Sequence, residues 1–265
     1  MKRALAALAL CAALAGCARA PVERVEWTTM GTVAAVQTRG GADAAAVEIV
    51  RRTFDEVERL LNAHDPDSEL SRLAPLSEEE ILERCNPRMR PCYEAAFRLM
   101  RETDGAFNPR WRGPDALDLG GIAKGFALDL AEDELRRRKG DMGGCDVLVD
   151  LGGNLKAVSG TWTVGVYAPE GMGRRPTLRL PAGSACATSA EYVRGKHIYD
   201  GRTGLAVSND VLSVTVVHPT SAMLTDGLST VMFIFGRDRG EAFLRARHPD
   251  ARPMWIMSTN ERNLQ

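Results

Sequence analysis

The chain has almost no charge imbalance: 34 basic residues stand against 35 acidic ones over 265 positions, a formal net charge of -1. A surface for nucleic acid needs an excess of Lys and Arg, so this balance disfavours a polyanionic partner and leaves any phosphate site to be built locally. Histidine is scarce, four in all, and no paired C-x-x-C units lie near those four, so the usual zinc spacings are missing. After residue 15 no apolar run is long enough to span a bilayer. No low-complexity stretch divides the chain, which favours one α+β unit over independent domains. What is abundant is apolar: 45% of residues are hydrophobic, enough to bury one sizeable core or two small ones and to argue against disorder.

The first residues read as a targeting segment. Lys2 and Arg3 precede an apolar run over 4–15 that is too short for a membrane helix and suits a signal-peptide core. It ends in Leu14-Ala15-Gly16-Cys17, which resembles the lipobox of bacterial lipoproteins and makes Cys17 the expected lipidated residue; an ordinary secretory signal with a chance cysteine is the alternative. The expected division is a signal at 1–16, a lipidated tether at 17–25 and a tethered body at 26–265, held at the bacterial cell envelope and facing the periplasm or the exterior. In that oxidising compartment four cysteines remain, and the expected pairings are Cys85 with Cys92 and Cys145 with Cys186.

Along the body, residues 26–38 read as a strand and 44–63 as an amphipathic helix, with Val47, Val50, Phe54, Val57 and Leu61 at spacings of three and four. Helices are expected over 77–84 and 91–103, short strands at 146–150, 162–166, 177–180, 187–190, 196–199 and 211–217, then helices at 222–235 and 240–247 and a closing strand at 253–258. The stretch Asp118-Leu-Gly-Gly-Ile-Ala-Lys-Gly125 reads as extended chain, glycine turn and helix start. Glycines admit a ligand close to the backbone, a helix start offers unpaired N–H groups, and Lys124 adds charge, an arrangement suited to phosphate. The alternative is a packing corner. A second Asp-Leu-Gly-Gly recurs at 150–153.

Asp226 and Thr230 lie four apart on the 222–235 helix, so a carboxylate and a hydroxyl share one face, with Ser229 on the same side: hard oxygen ligands for a cation such as Mg²⁺. A helix-capping role for Asp226 is the alternative reading. His197, near an Asp-Gly turn, suits a base or a packed core histidine, and His64 a loop or a pocket.

The ordered set MGT at 30–32, DPDSELSRL at 65–73, GAFNP at 105–109, DLGGIAKGFALD at 118–129, VDLGGN at 149–154, ATSAEY at 187–192, HIYDGRTG at 197–204 and SVTVV followed by Asp226 and Thr230 resembles the FAD:protein FMN transferase family, the ApbE type. The resemblance implies a T-fold-like α+β unit with mixed sheets and packed helices. It also implies a Mg²⁺-dependent enzyme that splits FAD, transfers FMN to a Thr or Ser hydroxyl of a partner protein and releases AMP. By motif, the metal ligands would be Asp226, Thr230 and the Gly121 carbonyl. The FAD site would be lined by Met30, His64, Ala106, Phe107, Asn108, Asp118, Lys124 and Tyr199, with His197 and Asp226 catalytic. An FAD-hydrolysing enzyme and a non-catalytic flavin-binding lipoprotein are the alternative functions. Replacing Asp226 by Ala is expected to abolish transfer and leave the fold intact.

Overall fold

Thr29 and Thr32 are paired across a two-residue turn in which Met30 (φ 50°) and Gly31 (φ 67°) both take the left-handed conformation, the geometry that matches strand twist in a tight hairpin. The alternating stretch expected as one strand is therefore two, β1 (Val22–Thr29) and β2 (Thr32–Arg39). The computed structural model describes residues 21–139, 144–166, 176–191 and 198–258. Cys17 and the signal segment, and His197 with the first half of the strand expected at 196–199, lie outside those residues.

After the hairpin come α1 (Ala44–Leu61), α2 (Glu69–Leu73), α3 (Glu78–Arg84), α4 (Arg90–Glu102) and α5 (Ala123–Lys139). Their starts are locally encoded. The Asp43 carboxylate accepts from Ala46 N, and Ser77 with Glu80 forms a reciprocal capping box on α3. Then follow β3 (Asp146–Leu151), β4 (Asn154–Ala157), β5 (Trp162–Gly165), β6 (Thr177–Leu180), β7 (Ala185–Ala190), β8 (Tyr199–Asp200), β9 (Leu205–Ala206), β10 (Val211–His218), α6 (Ala222–Phe235), α7 (Arg237–Arg247) and β11 (Arg252–Met257).

Seven strands form one sheet in the order β1-β2-β3-β4-β7-β10-β11, antiparallel at every pairing, and β5-β6 and β8-β9 are separate hairpins. Strand alternation divides the core. Val147, Val149 and Leu151 face the helices with Val50, Phe54, Phe97, Leu128 and Met232, while Leu148 faces the other way, onto Trp162 and Leu180 of the β5-β6 hairpin. The helix layer holds most of the buried apolar surface, and α6 runs within it, apolar on nearly all sides because α5, α7 and the sheet enclose it.

The second Asp-Leu-Gly-Gly does not repeat the first. Gly152 (φ 64°) and Gly153 (φ 88°) make the tip of the β3-β4 hairpin, whereas Gly120 and Gly121 lead into α5 without left-handed backbone. The expected disulfides are also absent: Cys85, Cys92, Cys145 and Cys186 are free thiols. Cys85 ends α3 with its Sγ toward Leu82 O (3.7 Å), while Cys92 is enclosed in the first turn of α4, so the seven-residue spacing puts the two thiols on different elements.

Candidate active site

β7 pairs with β10 all the way from Ala185 to Ala190 but with β4 only through Leu155↔Cys186 and Lys156↔Ala185. The sheet opens beside Thr188, Ser189 and Ala190, and a cavity of about 780 Å³ fills the opening, within the size range of small-molecule sites, roughly 300–1,000 Å³. One wall is built by loops, helices and the short strand β8 and contains His64, Ala106, Phe107, Asn108, Asp118, Gly121, Lys124, Tyr199, Asp226 and Thr230. The other is built by strands and contains Asp150, Asn154, Leu155, Val164 and Cys186. Ten of the residues singled out from sequence thus meet at one cavity. Met30 is not among its lining; it occupies the β1-β2 turn and packs against the helix-side core.

Two helix starts meet here and cap each other. The first turn of α5 leaves backbone N–H groups without helical partners, and Gly125 N donates to Asp226 Oδ2 of α6 at 2.9 Å. One turn further along α5, Asp129 accepts from Ser221 Oγ (2.9 Å), Ala222 N (2.8 Å) and Met223 N (2.9 Å) at the start of α6. The crossing is so close that a Cβ on Gly125 would stand 2.2 Å from Ala222 O, so only glycine fits. Behind it Lys156, whose side chain is 0% exposed, donates to Asp129 Oδ1 (3.1 Å) and Thr220 O (2.5 Å) and pairs with Glu132 (2.7 Å). Asp129 closes the DLGGIAKGFALD motif without a role being assigned to it, and Lys156 lies outside every motif. A four-residue spacing from Gly125 and a lysine at a core-facing strand position were the available signals.

Asp226, 5% exposed, keeps its second oxygen on the cavity side, 3.6 Å from the Lys124 ammonium, which itself donates to Gly120 O (2.8 Å). Thr230 Oγ1 donates to Asp226 O at 3.3 Å, and a Cβ on Gly121 would lie 3.3 Å from that same hydroxyl, so the glycine corner and the helix face are in contact. Ser229 is committed elsewhere: its hydroxyl bonds Ser189 Oγ (2.9 Å) and Asp226 O (3.0 Å), tying α6 to β7. Among the described residues no group of three or more His, Cys, Asp and Glu side chains is placed to hold a metal. A cation here would depend on the Asp226 carboxylate with neutral oxygens, a donor set that fits a hard ion retaining waters or substrate oxygens.

Asp118 is held within the chain. Oδ1 accepts from Gly120 N (2.8 Å), and Oδ2 accepts from Trp111 Nε1 (3.2 Å) and pairs with Arg112 (3.2 Å). This fixes the Trp111 indole, which stacks on Tyr199 at 4.3 Å between centroids and 11° between planes. Trp111 and Arg112 lie in the eight-residue link between GAFNP and DLGG and carry no motif of their own. On the strand wall, burial raises the Asp150 carboxyl above its ordinary range against the opposing pull of Gly153 N–H and Arg24. Burial, followed by the Asp150 charge, pushes the Cys186 thiol up to about 12.

A model described as the ApbE family matches residues 30–114 and 111–255 of the chain. A Vibrio cholerae protein named FAD:protein FMN transferase is 29% identical over 93% of this chain and 91% of its own length. A Klebsiella pneumoniae protein of the same name is 36% identical over 49% of this chain and 42% of its own. The solved flavin transferase ApbE from Vibrio cholerae superposes with a TM-score of 0.71 at 26% identity, covering 91% of this chain and 95% of that one. The apo flavinyl transferase ApbE from Pseudomonas stutzeri gives 0.73 at 20% identity over 91% and 92%, a likeness of fold.

Proposed function

The chain belongs to the ApbE family, and from that premise we propose that it is an FAD:protein FMN transferase that cleaves the FAD pyrophosphate and joins FMN to a Thr or Ser hydroxyl of an acceptor protein. The observation that carries this reading is the convergence of Asp226, Thr230, Lys124 and the 118–121 corner on one cavity.

In the reaction the acceptor oxygen forms a bond to the flavin-side phosphorus, the P–O bond to the AMP phosphate breaks, and AMP leaves with that electron pair. We assign the hydroxyl proton to His197, on its place in the HIYDGRTG motif alone. Lys124 stands beside Asp226 and offers its ammonium to a pyrophosphate oxygen, while the stacked Trp111 and Tyr199 give a flat surface at the same cavity. Asp226, Thr230 and the Gly121 carbonyl would hold Mg²⁺, which when bound supplies charge to the phosphates. Asp226 is gripped by the start of α5, so that its carboxylate is oriented before any ligand arrives.

The membrane is a proposed partner through acylated Cys17, at the bacterial envelope, on the sequence features of residues 1–17. No helix among the described residues is long and apolar enough to cross a membrane.

The test is incubation with FAD, Mg²⁺ and a Thr-containing acceptor peptide, followed by mass spectrometry of the peptide and chromatography of the nucleotides. The expected result is a peptide carrying FMN and one AMP per transfer. An Asp226→Asn variant, which keeps an acceptor for Gly125 N, should lose on the order of 10²-fold or more in rate. Free FMN with unmodified peptide would replace transfer by hydrolysis, and FAD recovered intact would make the protein a binder without turnover.

A further inference from the structure

The recurrence of Asp-Leu-Gly-Gly at 150–153, followed by Asn154, has no part in the reaction described above, yet it builds the strand wall of the cavity. Asn154 is the first residue of β4, immediately after the left-handed Gly152-Gly153 tip, and is 3% exposed. It lines the cavity, and its Nδ2 has no hydrogen-bond partner among the described residues. A buried amide donor without an acceptor is a standing cost to the fold, and it is retained where a ligand supplies the missing partner.

The chemistry of that partner follows from the neighbours. The basic residues of the lining, Lys124 and Arg112, belong to the loop-and-helix wall, whereas the strands contribute a carboxylate, Asp150, with Leu155, Val164 and Cys186. A phosphate would meet Asp150 there, and Arg24, the strand cation beside that carboxylate, is engaged with it at 3.5 Å and does not line the cavity. A neutral flat heterocycle meets none of that repulsion: its faces suit the apolar side chains, and an acceptor atom on its edge suits the Asn154 amide.

We propose that Asn154 is a specificity-determining residue whose amide donates to an acceptor atom on the edge of a nucleotide's heteroaromatic ring, and that the hairpin corner 150–154 is the subsite that receives this ring. The subsite rests on the FAD reading, and FAD has two such rings, isoalloxazine and adenine. The experiment separates them by using FMN and AMP as probes, neither of which contains the pyrophosphate the enzyme splits.

Titration of each nucleotide is compared for the wild type, Asn154→Leu, which keeps the branched shape without the donor, and Asn154→Asp, which replaces the donor by an acceptor and keeps the assay informative should the Leu variant fail to fold. Affinity for one of the two probes should fall by about tenfold, the equivalent of one hydrogen bond, with the other unchanged. Loss for FMN places isoalloxazine at the corner, and loss for AMP places adenine there. In the same Leu variant the melting temperature of the ligand-free protein should rise, because an unsatisfied donor has been removed. Affinities for both probes within about twofold of wild type would overturn the subsite while leaving the transferase reading standing. Weaker binding with a lowered melting temperature would also overturn it, since Asn154 would then be holding the hairpin. A wild type that binds neither probe would overturn the reading beneath it, and the subsite with it.

Discussion

Lys156 offers the sharpest test of how α6 is held. Its side chain is wholly buried, and its three ammonium donors face Asp129 Oδ1 at 3.1 Å, Glu132 Oε2 at 2.7 Å and Thr220 O at 2.5 Å. Replacing it by Met keeps a straight apolar stem of similar reach and removes only the charge and its donors. Asp129 then retains Ser221 Oγ, Ala222 N and Met223 N, and Glu132 retains Arg136 at 2.7 Å, but Thr220 O is left without its lysine donor and the two carboxylates without the buried counter-charge between them. Removing one member of a buried ion pair costs about 3–5 kcal/mol, and the surviving hydrogen bonds place this case at the lower end, about 3 kcal/mol. For a chain of this size that corresponds to a fall in melting temperature of roughly 6–12 °C, measured by calorimetry or circular dichroism at neutral pH. Asp129→Asn in the Lys156→Met background should cost less than Asp129→Asn alone, because the pair acts as a unit. A Lys156→Met protein melting within about 2 °C of wild type would refute the reasoning, since a cost below about 1 kcal/mol is incompatible with a desolvated charge that has lost its partner.

Gly125→Ala should destabilise by about 3 kcal/mol or more despite alanine's better helix propensity of about 1 kcal/mol, because the new Cβ would fall 2.2 Å from Ala222 O and 2.7 Å from Asp226 Cβ; an unchanged or raised melting temperature would refute the close crossing. Asp150 has a folded pKa raised by burial above 3.8, so its stabilising contribution is complete only below that unfolded value and is lost as pH rises through the folded one. Asp150→Asn should therefore raise the melting temperature at neutral pH, with the gain disappearing by about pH 3. Alkylation at mildly alkaline pH, read by mass spectrometry without reductant, should leave Cys92 and Cys186 unmodified in the folded protein and label them after denaturation, because burial raises both thiols well above their ordinary range; a mass two protons lower for either predicted pair would restore the disulfides.

The elements read well from sequence are those whose signal is local. The 222–235 helix emerges with the same bounds as α6 because Ser221 caps it and Gly236 ends it, and α1 carries its buried stripe from Val50 through Leu61. The misses have non-local causes. A hairpin preserves alternation through its turn, so the run over 26–38 looked like one strand until the pairing of Trp27 with Ala34 folded it back. The tetrapeptide Asp-Leu-Gly-Gly gave no hint that its two copies differ. Ile-Ala-Lys-Gly after the first continues into a helix docked on α6, while Asn-Leu-Lys after the second pairs back onto β3 and forces Gly152 and Gly153 to positive φ. Seven-residue spacing said nothing of where Cys85 and Cys92 point. For the cavity, motif order gave roles to the helix-side wall and none to the strand side, although VDLGGN spans it, because Asn154 becomes informative only once its amide is seen without a partner.

The two readings of Asp226 open in the sequence, ligand and helix cap, are not exclusive, and their coexistence changes what its substitution means. One carboxylate oxygen accepts from Gly125 N in the first turn of α5; the other lies toward the cavity near Lys124. Removing the side chain with Ala therefore strips a buried N–H of its acceptor, at about 1–3 kcal/mol, as well as removing the charge, so that variant is expected to lose stability along with transfer. Asparagine separates the two roles: its amide oxygen still satisfies Gly125 N while the negative charge disappears. The reciprocal arrangement with Asp129 gives this division a structural basis. Each helix start is neutralised by a carboxylate from the other helix, so the orientation of Asp226 is set by the crossing of α5 and α6, and what it then presents to the cavity is a charge already fixed in place.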